Sequence, residues 1–165
     1  MTDPRIRLAT DADWPAIWPI FQGIVDAGET YAYPEDLASG QARALWMEPP
    51  PGETVVLEDD GEILGTAKYG PNRPGRGAHV GTASFMVSPA ARGRGTGRSL
   101  GEHVVGRLRE QGYRGIQFNA VVESNTSAVR LWQALGFEIV GTVPGAFESA
   151  SLGHVGLHVM YLDLS

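Results

Sequence analysis

A chain of 165 residues with 42% hydrophobic content is the size of one domain and buries a core without staples. It contains no cysteine, which excludes a disulfide framework, a thiolate metal site and a cysteine nucleophile, and its net charge of -6 argues against a general nucleic-acid binder. Residues 1–62 carry 13 acidic and 3 basic side chains and residues 63–165 carry 6 acidic and 10 basic, an asymmetry that either steers partners or merely solubilises the N-terminal helices.

The start, Met1-Thr2-Asp3-Pro4-Arg5, lacks the charged and apolar run of a secretory signal, and no apolar stretch reaches the roughly 18 residues of a membrane span. A cytoplasmic protein without membrane partners is expected. Ile6 and Leu8 suggest a first strand, and Thr10 with Asp13 supplies a capping pattern. Trp14, Ile17, Trp18, Phe21, Ile24 and Val25 then recur at the spacing of one helical face. Pro19 predicts a kink or break in that helix, because it removes a hydrogen bond and crowds the preceding turn. A second helix is expected from Glu35 to about Trp46, ended by Pro49-Pro50-Pro51-Gly52.

Thr54–Glu58 and Ile63–Tyr69 read as strands joined by Asp59-Asp60-Gly61-Glu62, a hairpin signal. Gly70–Gly77 is a connection, and Ala78–Val87 is a strand stopped by Ser88-Pro89. The period then changes. A helix is predicted from about Gly97 to Gln111, a strand over Gly115–Val122, a helix over Asn125–Leu135 ended by Gly136, and strands over Ile139–Thr142 and Val155–Leu162. The order β, α, α, β, β, β, α, β, α, β, β describes one α/β (α+β) domain over residues 1–165, a mixed sheet with helices on its faces. The segment Val143–Glu148 is rich in turn formers; it either covers a pocket with Phe147 as a wall or is a plain β-connection.

The chemistry concentrates at Val87-Ser88-Pro89-Ala90-Ala91-Arg92-Gly93-Arg94-Gly95-Thr96-Gly97-Arg98, a strand, a Gly/Arg loop and a helix start. Free amides in a first helical turn, glycines that admit an anion closely, and three arginines suit a phosphate. A Walker loop fails here because Arg98 follows Gly97 and the only lysine, Lys68, lies far upstream. A dinucleotide fingerprint fails because the loop is G-x-G-x-G and the next strand offers Gln117 and Asn119 instead of an acid. His154 and His158 lie in a strand, about 13 Å apart, which is no metal-ligand spacing.

Arg92-x-x-Gly95-x-Gly97 resembles the signature of the GNAT (GCN5-related) acetyltransferase superfamily. Asn125-x-x-Ala128-x-x-Leu131-Trp132-x-x-Leu135-Gly136-Phe137 resembles its second motif, so the likeness spans residues 79–141 in family order. The resemblance implies a mostly antiparallel sheet of six to seven strands with strands 4 and 5 parallel and splayed. It also implies acetyl-coenzyme A as co-substrate, without metal, and a small amine as acceptor. The main chain of Phe85, Met86 and Val87 would pair with the pantetheine arm, and Arg92, Gly93, Arg94, Gly95, Thr96, Gly97 and Arg98 would hold the pyrophosphate. Asn125, Ser127 and Trp132 would approach from the other side, and the Val87 N–H would stabilise the oxyanion. Ser124 or Asn125 also reads as a helix cap. A homodimer is a further implication of the family.

Two departures matter. Trp132 stands where the family often has a tyrosine that protonates the leaving thiolate, and an indole cannot deliver a proton. Either the thiolate leaves unassisted or with water, or Tyr161 or Tyr31 stands in; a catalytically degenerate acyl-coenzyme A binder is the alternative. The usual carboxylate base is also missing from the strand His79–Phe85. Glu123 is the first candidate, with Glu29, His79 and Asp36 behind it. The acidic N-terminal part suggests a cationic acceptor drawn toward Glu29, Glu35 or Asp36, with Glu29, Tyr31 and Phe147 as acceptor-binding residues.

Overall fold

The computed structural model describes residues 3–165, so Met1 and Thr2, read above as part of the chain's start, lie outside the described residues. The elements are β1 (Arg5–Leu8), α1 (Trp14–Ala27), α2 (Ser39–Trp46), β2 (Glu53–Asp59), β3 (Glu62–Pro71), β4 (Val80–Val87), α3 (Thr96–Glu110), β5 (Gly115–Val122), α4 (Thr126–Ala134), β6 (Glu138–Ser149) and β7 (Gly153–Asp163). They form a seven-stranded sheet in the order β1-β2-β3-β4-β5-β7-β6. Every pairing is antiparallel except β4–β5, which is parallel. The mixed sheet and the element order agree with the sequence reading. Among the described residues, no helix is long and apolar enough to cross a membrane.

Each face of the sheet carries its own core. α1 and α2 cover one, burying Trp14, Ile17, Phe21, Val25 and Trp46 against Val56 and Met86. α3 and α4 cover the other, burying Leu100, Val104, Leu108 and Trp132 against Leu64, Ile116, Phe118 and Met160. Gly65 lets α3 settle on β3: a Cβ there would stand 2.9 Å from both Leu100 Cδ1 and Thr96 Cγ2. The start of α3 is thereby seated directly on the sheet.

Three expectations need correction. α1 is one helix through Pro19, without a break. Pro19 faces solvent, where water can take the carbonyl that loses its partner, while the opposite face stays packed. α2 begins at Ser39, not Glu35, because Gln41 Oε1 accepts the Ala38 N–H at 2.9 Å and so caps the helix there. The turn-rich segment Val143–Glu148 belongs to a strand that runs on to Ser149. Between Val143 and Phe147, β6 advances four residues while β7 advances two, from Leu157 to Val155. This bulge absorbs Pro144 and Gly145 and turns Phe147 into the protein, where it is buried. The Asp59–Glu62 turn forms as expected, with φ 49 at Asp60 and 79 at Gly61.

Arg7 joins β1, the start of α1 and β2. Its Nη1 and Nη2 each donate to Asp13 at 2.8 Å, and Nη2 reaches Glu58 at 2.9 Å. The guanidinium beside it, helped by the Thr10 N–H, holds the Asp13 carboxyl at about 2. A carboxyl depressed in the folded state contributes stability above its ordinary pKa of 3.8 and loses it as pH falls toward 2. Asp13→Asn should therefore cost about 2 kcal/mol at pH 6, the worth of hydrogen bonds to a charged group. That difference should shrink by pH 2, as urea unfolding at the two pH values would show. An equal loss at both would place Asp13's contribution outside its charge.

Candidate functional site

β4 and β5 are joined at two register positions only, Val80 to Gly115 and Gly81 to Ile116, and then diverge. The wedge between them opens into a cleft of about 780 Å³. At one end it is lined by Arg92, Gly93, Gly95, Thr96, Gly97 and Arg98, and at the other by Glu29, Thr30, Tyr31 and Phe147. Asn125, Ser127, Leu131 and Trp132 form the wall on the α4 side.

The Gly/Arg loop is shaped by its glycines. Gly93 and Gly95 have φ 77 and 74, the left-handed region closed to most side chains, and Gly95 caps α3. The first helical bond there runs from Ser99 N to Gly95 O at 3.0 Å. The N–H groups of Gly95 to Arg98 therefore have no helical partner. The first turn holds no acid to balance these groups, and Arg98 adds a cation where the helix dipole is already positive. An anion satisfies both. Arg94 is turned to the β2–β3 hairpin, with Nη2 on Asp59 Oδ2 at 2.6 Å, and is not among the lining residues. Arg98 pairs with Glu102 at 2.9 Å, one helical turn on. Arg92, at the lip of the cleft, makes no ion pair among the described residues.

On β4, the direction of each main-chain group follows from the register. Ser88 N donates to Leu64 O and Val80 O accepts from Asn72 N, each at 2.8 Å, so even-numbered residues face β3. Both groups of a residue in an antiparallel strand point the same way and alternate along it. Ala83, Phe85 and Val87 thus point into the wedge, whereas the amide of Met86 points to β3. Phe85 is taken: the Tyr31 hydroxyl accepts its N–H at 2.8 Å and donates to its C=O at 2.6 Å. Burial pushes the Tyr31 phenol well above its usual range, so it stays protonated.

Below the wedge lies an aromatic floor. The Phe85 and Trp132 rings are 4.7 Å apart, Trp132 and Phe118 are 4.9 Å apart, and Phe118 stacks on Phe137 at 4.2 Å. Trp132 is only 7% exposed and presses against α3 at Gly101, where a Cβ would meet its ring at 3.0 Å.

The acidic candidates separate. Glu123 does not line the cleft; its carboxylate accepts the Gly156 N–H at 2.7 Å. Glu29 does line it, while accepting from the Ser149 hydroxyl at 2.8 Å, the Ser151 N–H at 2.9 Å and the Ser151 hydroxyl at 3.2 Å. These bonds, the Ser149 hydroxyl foremost, hold its carboxyl below the usual range. Glu29 thereby ties the loop after α1 to the β6–β7 tip, beside the bond from Ala150 N to Gly28 O at 2.9 Å. Asn119, which lines the cleft, donates to Asn72 at 2.7 Å and accepts from Gln117 at 2.9 Å. Sequence reasoning missed this ladder as part of the site, although the alternation of polar and apolar residues along β5 was its signal.

Known proteins resemble this chain in sequence and in fold. The model of the acetyltransferase (GNAT) family matches residues 14–137. The L-methionine sulfoximine/L-methionine sulfone acetyltransferase of Pseudomonas paraeruginosa is 36% identical over 149 residues, covering 84% of this chain and 83% of that one. The N-acetyltransferase aca1 of Schizosaccharomyces pombe is 31% identical over 110 residues, 67% of this chain, which spans half of that relative's length. Among solved structures, a GCN5-related N-acetyltransferase from Kribbella flavida is 56% identical with a TM-score of 0.95, covering 97% of both chains. The yncA protein of Salmonella typhimurium, solved with its cofactor acetyl-CoA, is 25% identical with a TM-score of 0.83, covering 99% of this chain and 95% of that one.

Proposed function

The chain belongs to the acetyltransferase (GNAT) family, and from that premise we propose that it transfers an acetyl group from acetyl-coenzyme A to a small amine by direct attack. The observation that carries this reading is the wedge between β4 and β5, with free helical amides at one end and main-chain groups along its edge. The pyrophosphate would lie on the N–H groups of Gly95 to Arg98, with Arg92 and Arg98 as mobile cations. Arg94, already bound to Asp59, would shape the loop. The pantetheine arm would lie along β4 and pair with Val87, as an added strand pairs with an exposed edge. Asn125, Ser127 and Trp132 would close over it from α4.

In the reaction the amine nitrogen attacks the thioester carbonyl carbon, and the Val87 N–H faces the oxygen as charge develops there. The carbon–sulfur bond then breaks and the coenzyme leaves as thiolate, a tolerable leaving group at neutral pH. Water would take the amine's proton, because Glu123 does not line the cleft and Glu29, held below its usual range, is a weakened base. Glu29 is better suited to attracting a cationic acceptor to the mouth of the cleft, lined there by Tyr31 and Phe147. The amino acids and their analogues acted on by the relatives make free amino-acid amines the first acceptors to try.

Calorimetry with acetyl-coenzyme A, followed by thiol release against a pool of amino acids and small amines, tests the reading. Heat of binding with turnover is the expected result, and no heat at all would end it. Binding without turnover would support a degenerate binder, the reading favoured by Trp132, which puts no phenol at its position. Pairing of two copies is a further part of the proposal. β6 is an outer strand whose residues from Glu138 to Ala146 are exposed, Val140 and Val143 among them at 69% and 54%. Sedimentation should give about twice the chain mass of 17.7 kDa; a single-chain mass at all concentrations would refute pairing.

A further inference from the structure

A phenol occupies the edge of β4. Tyr31 comes from the loop after α1, 54 residues away in sequence, and takes both main-chain groups of Phe85. These are the groups that a strand or ligand in the wedge would otherwise use. The ring is also held from behind. Tyr31 stacks on Tyr33 at 5.8 Å, and Tyr33 packs on Phe21 of α1 at 5.1 Å. On the other side of Tyr31 the loop is tied to the β6–β7 tip through Gly28 and Glu29.

Consider an extended ligand anchored at the start of α3 and lying along β4. It reaches Val87 first. The next position on the same edge is Phe85, two residues or about 7 Å further. There the Tyr31 hydroxyl fills the plane of the sheet, and the rings of Phe85, Phe118 and Trp132 close the face below. The space for whatever the thiol carries is therefore bounded ahead and beneath.

We propose that Tyr31 sets the acyl length of the donor: fixed across the wedge at Phe85, it leaves room beyond Val87 for an acetyl group and stops longer chains. This rests on the acyl-coenzyme A reading given above. A longer chain must displace an aromatic side chain that loses two hydrogen bonds when it moves, or turn back into the space that the acceptor needs. One methylene in a fitted pocket changes discrimination by about 10- to 200-fold.

The test compares acetyl-, propionyl- and butyryl-coenzyme A on the wild type, Tyr31→Phe and Tyr31→Ala with one acceptor. The wild type should prefer acetyl over butyryl by at least about tenfold in kcat/KM. Tyr31→Phe keeps the ring but loses both hydrogen bonds to Phe85, so it should keep only part of that preference. Tyr31→Ala should raise the butyryl-to-acetyl ratio about tenfold, a change that mere loosening of the fold would not produce. Tyr31→Leu, with a bulkier aliphatic chain, should fall between them and serves if the alanine variant does not fold. A wild type that uses butyryl as readily as acetyl, or an active Tyr31→Ala or Tyr31→Leu with an unchanged ratio, overturns the proposal. Failure of the wild type to bind any of the three would instead remove the acyltransferase reading on which it rests.

Discussion

Gly95→Val should lose about 100-fold in affinity for acetyl-coenzyme A while remaining folded. Gly95 has φ 74, and a β-branched side chain resists that conformation by about 1–3 kcal/mol. Its Cβ would meet nothing of the protein within 4 Å, so the loop can relax toward ordinary dihedrals without a clash. Relaxation turns the free amides at the start of α3 away from the anion. Hydrogen bonds to a charged group are worth about 1.5–3 kcal/mol each, and losing the equivalent of one or two gives the stated change. Gly106→Ala is the control. It lies on the same helix, has open space around its Cβ and no unusual dihedral, so it should leave affinity unchanged and stability equal or slightly higher. Calorimetry on both variants decides; equal affinity in Gly95→Val would take the anion away from this loop.

Trp46→Ala should be the most destabilising truncation on the α1–α2 side, at about 3–5 kcal/mol. Trp46 is fully buried, and its ring meets Phe21 edge-on at 6.0 Å. Its Nε1 donates to Thr66 Oγ1 at 3.0 Å, and that hydroxyl in turn donates to Val55 O at 2.8 Å. Truncation opens a cavity and leaves Thr66 with an unfilled acceptor position in the core. Trp46→Phe should recover much of the volume but not the hydrogen bond, so it should fall between the two in denaturant midpoint. A loss below about 1 kcal/mol for the alanine variant would mean that α2 collapses onto the gap.

The order of the elements could be read from the chain because each run is long enough to show its period. Leu100, Val104 and Leu108 repeat every four residues, and Gly115–Val122 is bounded by turns. The Gly/Arg loop was equally plain, since backbone freedom and positive charge are both local properties. What escaped reading depends on distant partners. Nothing near Tyr31 points to Phe85, and nothing near Arg94 points to Asp59. Glu123 stands next to the second motif, yet pairing with β7 delivers it to Gly156, after a register shift between Phe118 and Val121 that regular alternation does not reveal. The length of β6 was missed for a similar reason. Pro144 and Gly145 signal a turn locally, but pairing with β7 on both sides carries the strand across them.

Only two rungs tie β4 to β5, and this makes the sheet two slabs, β1 to β4 and β5 to β7, joined beyond that point by packing and by side bonds such as those of Glu29 and Asn119. An extended molecule lodged in the opening would act as a removable eighth strand. The protein's resistance to heat would then depend on how much of that molecule is present, rising by RT ln(1 + [L]/Kd), so that a measured melting point reports ligand supply as much as sequence.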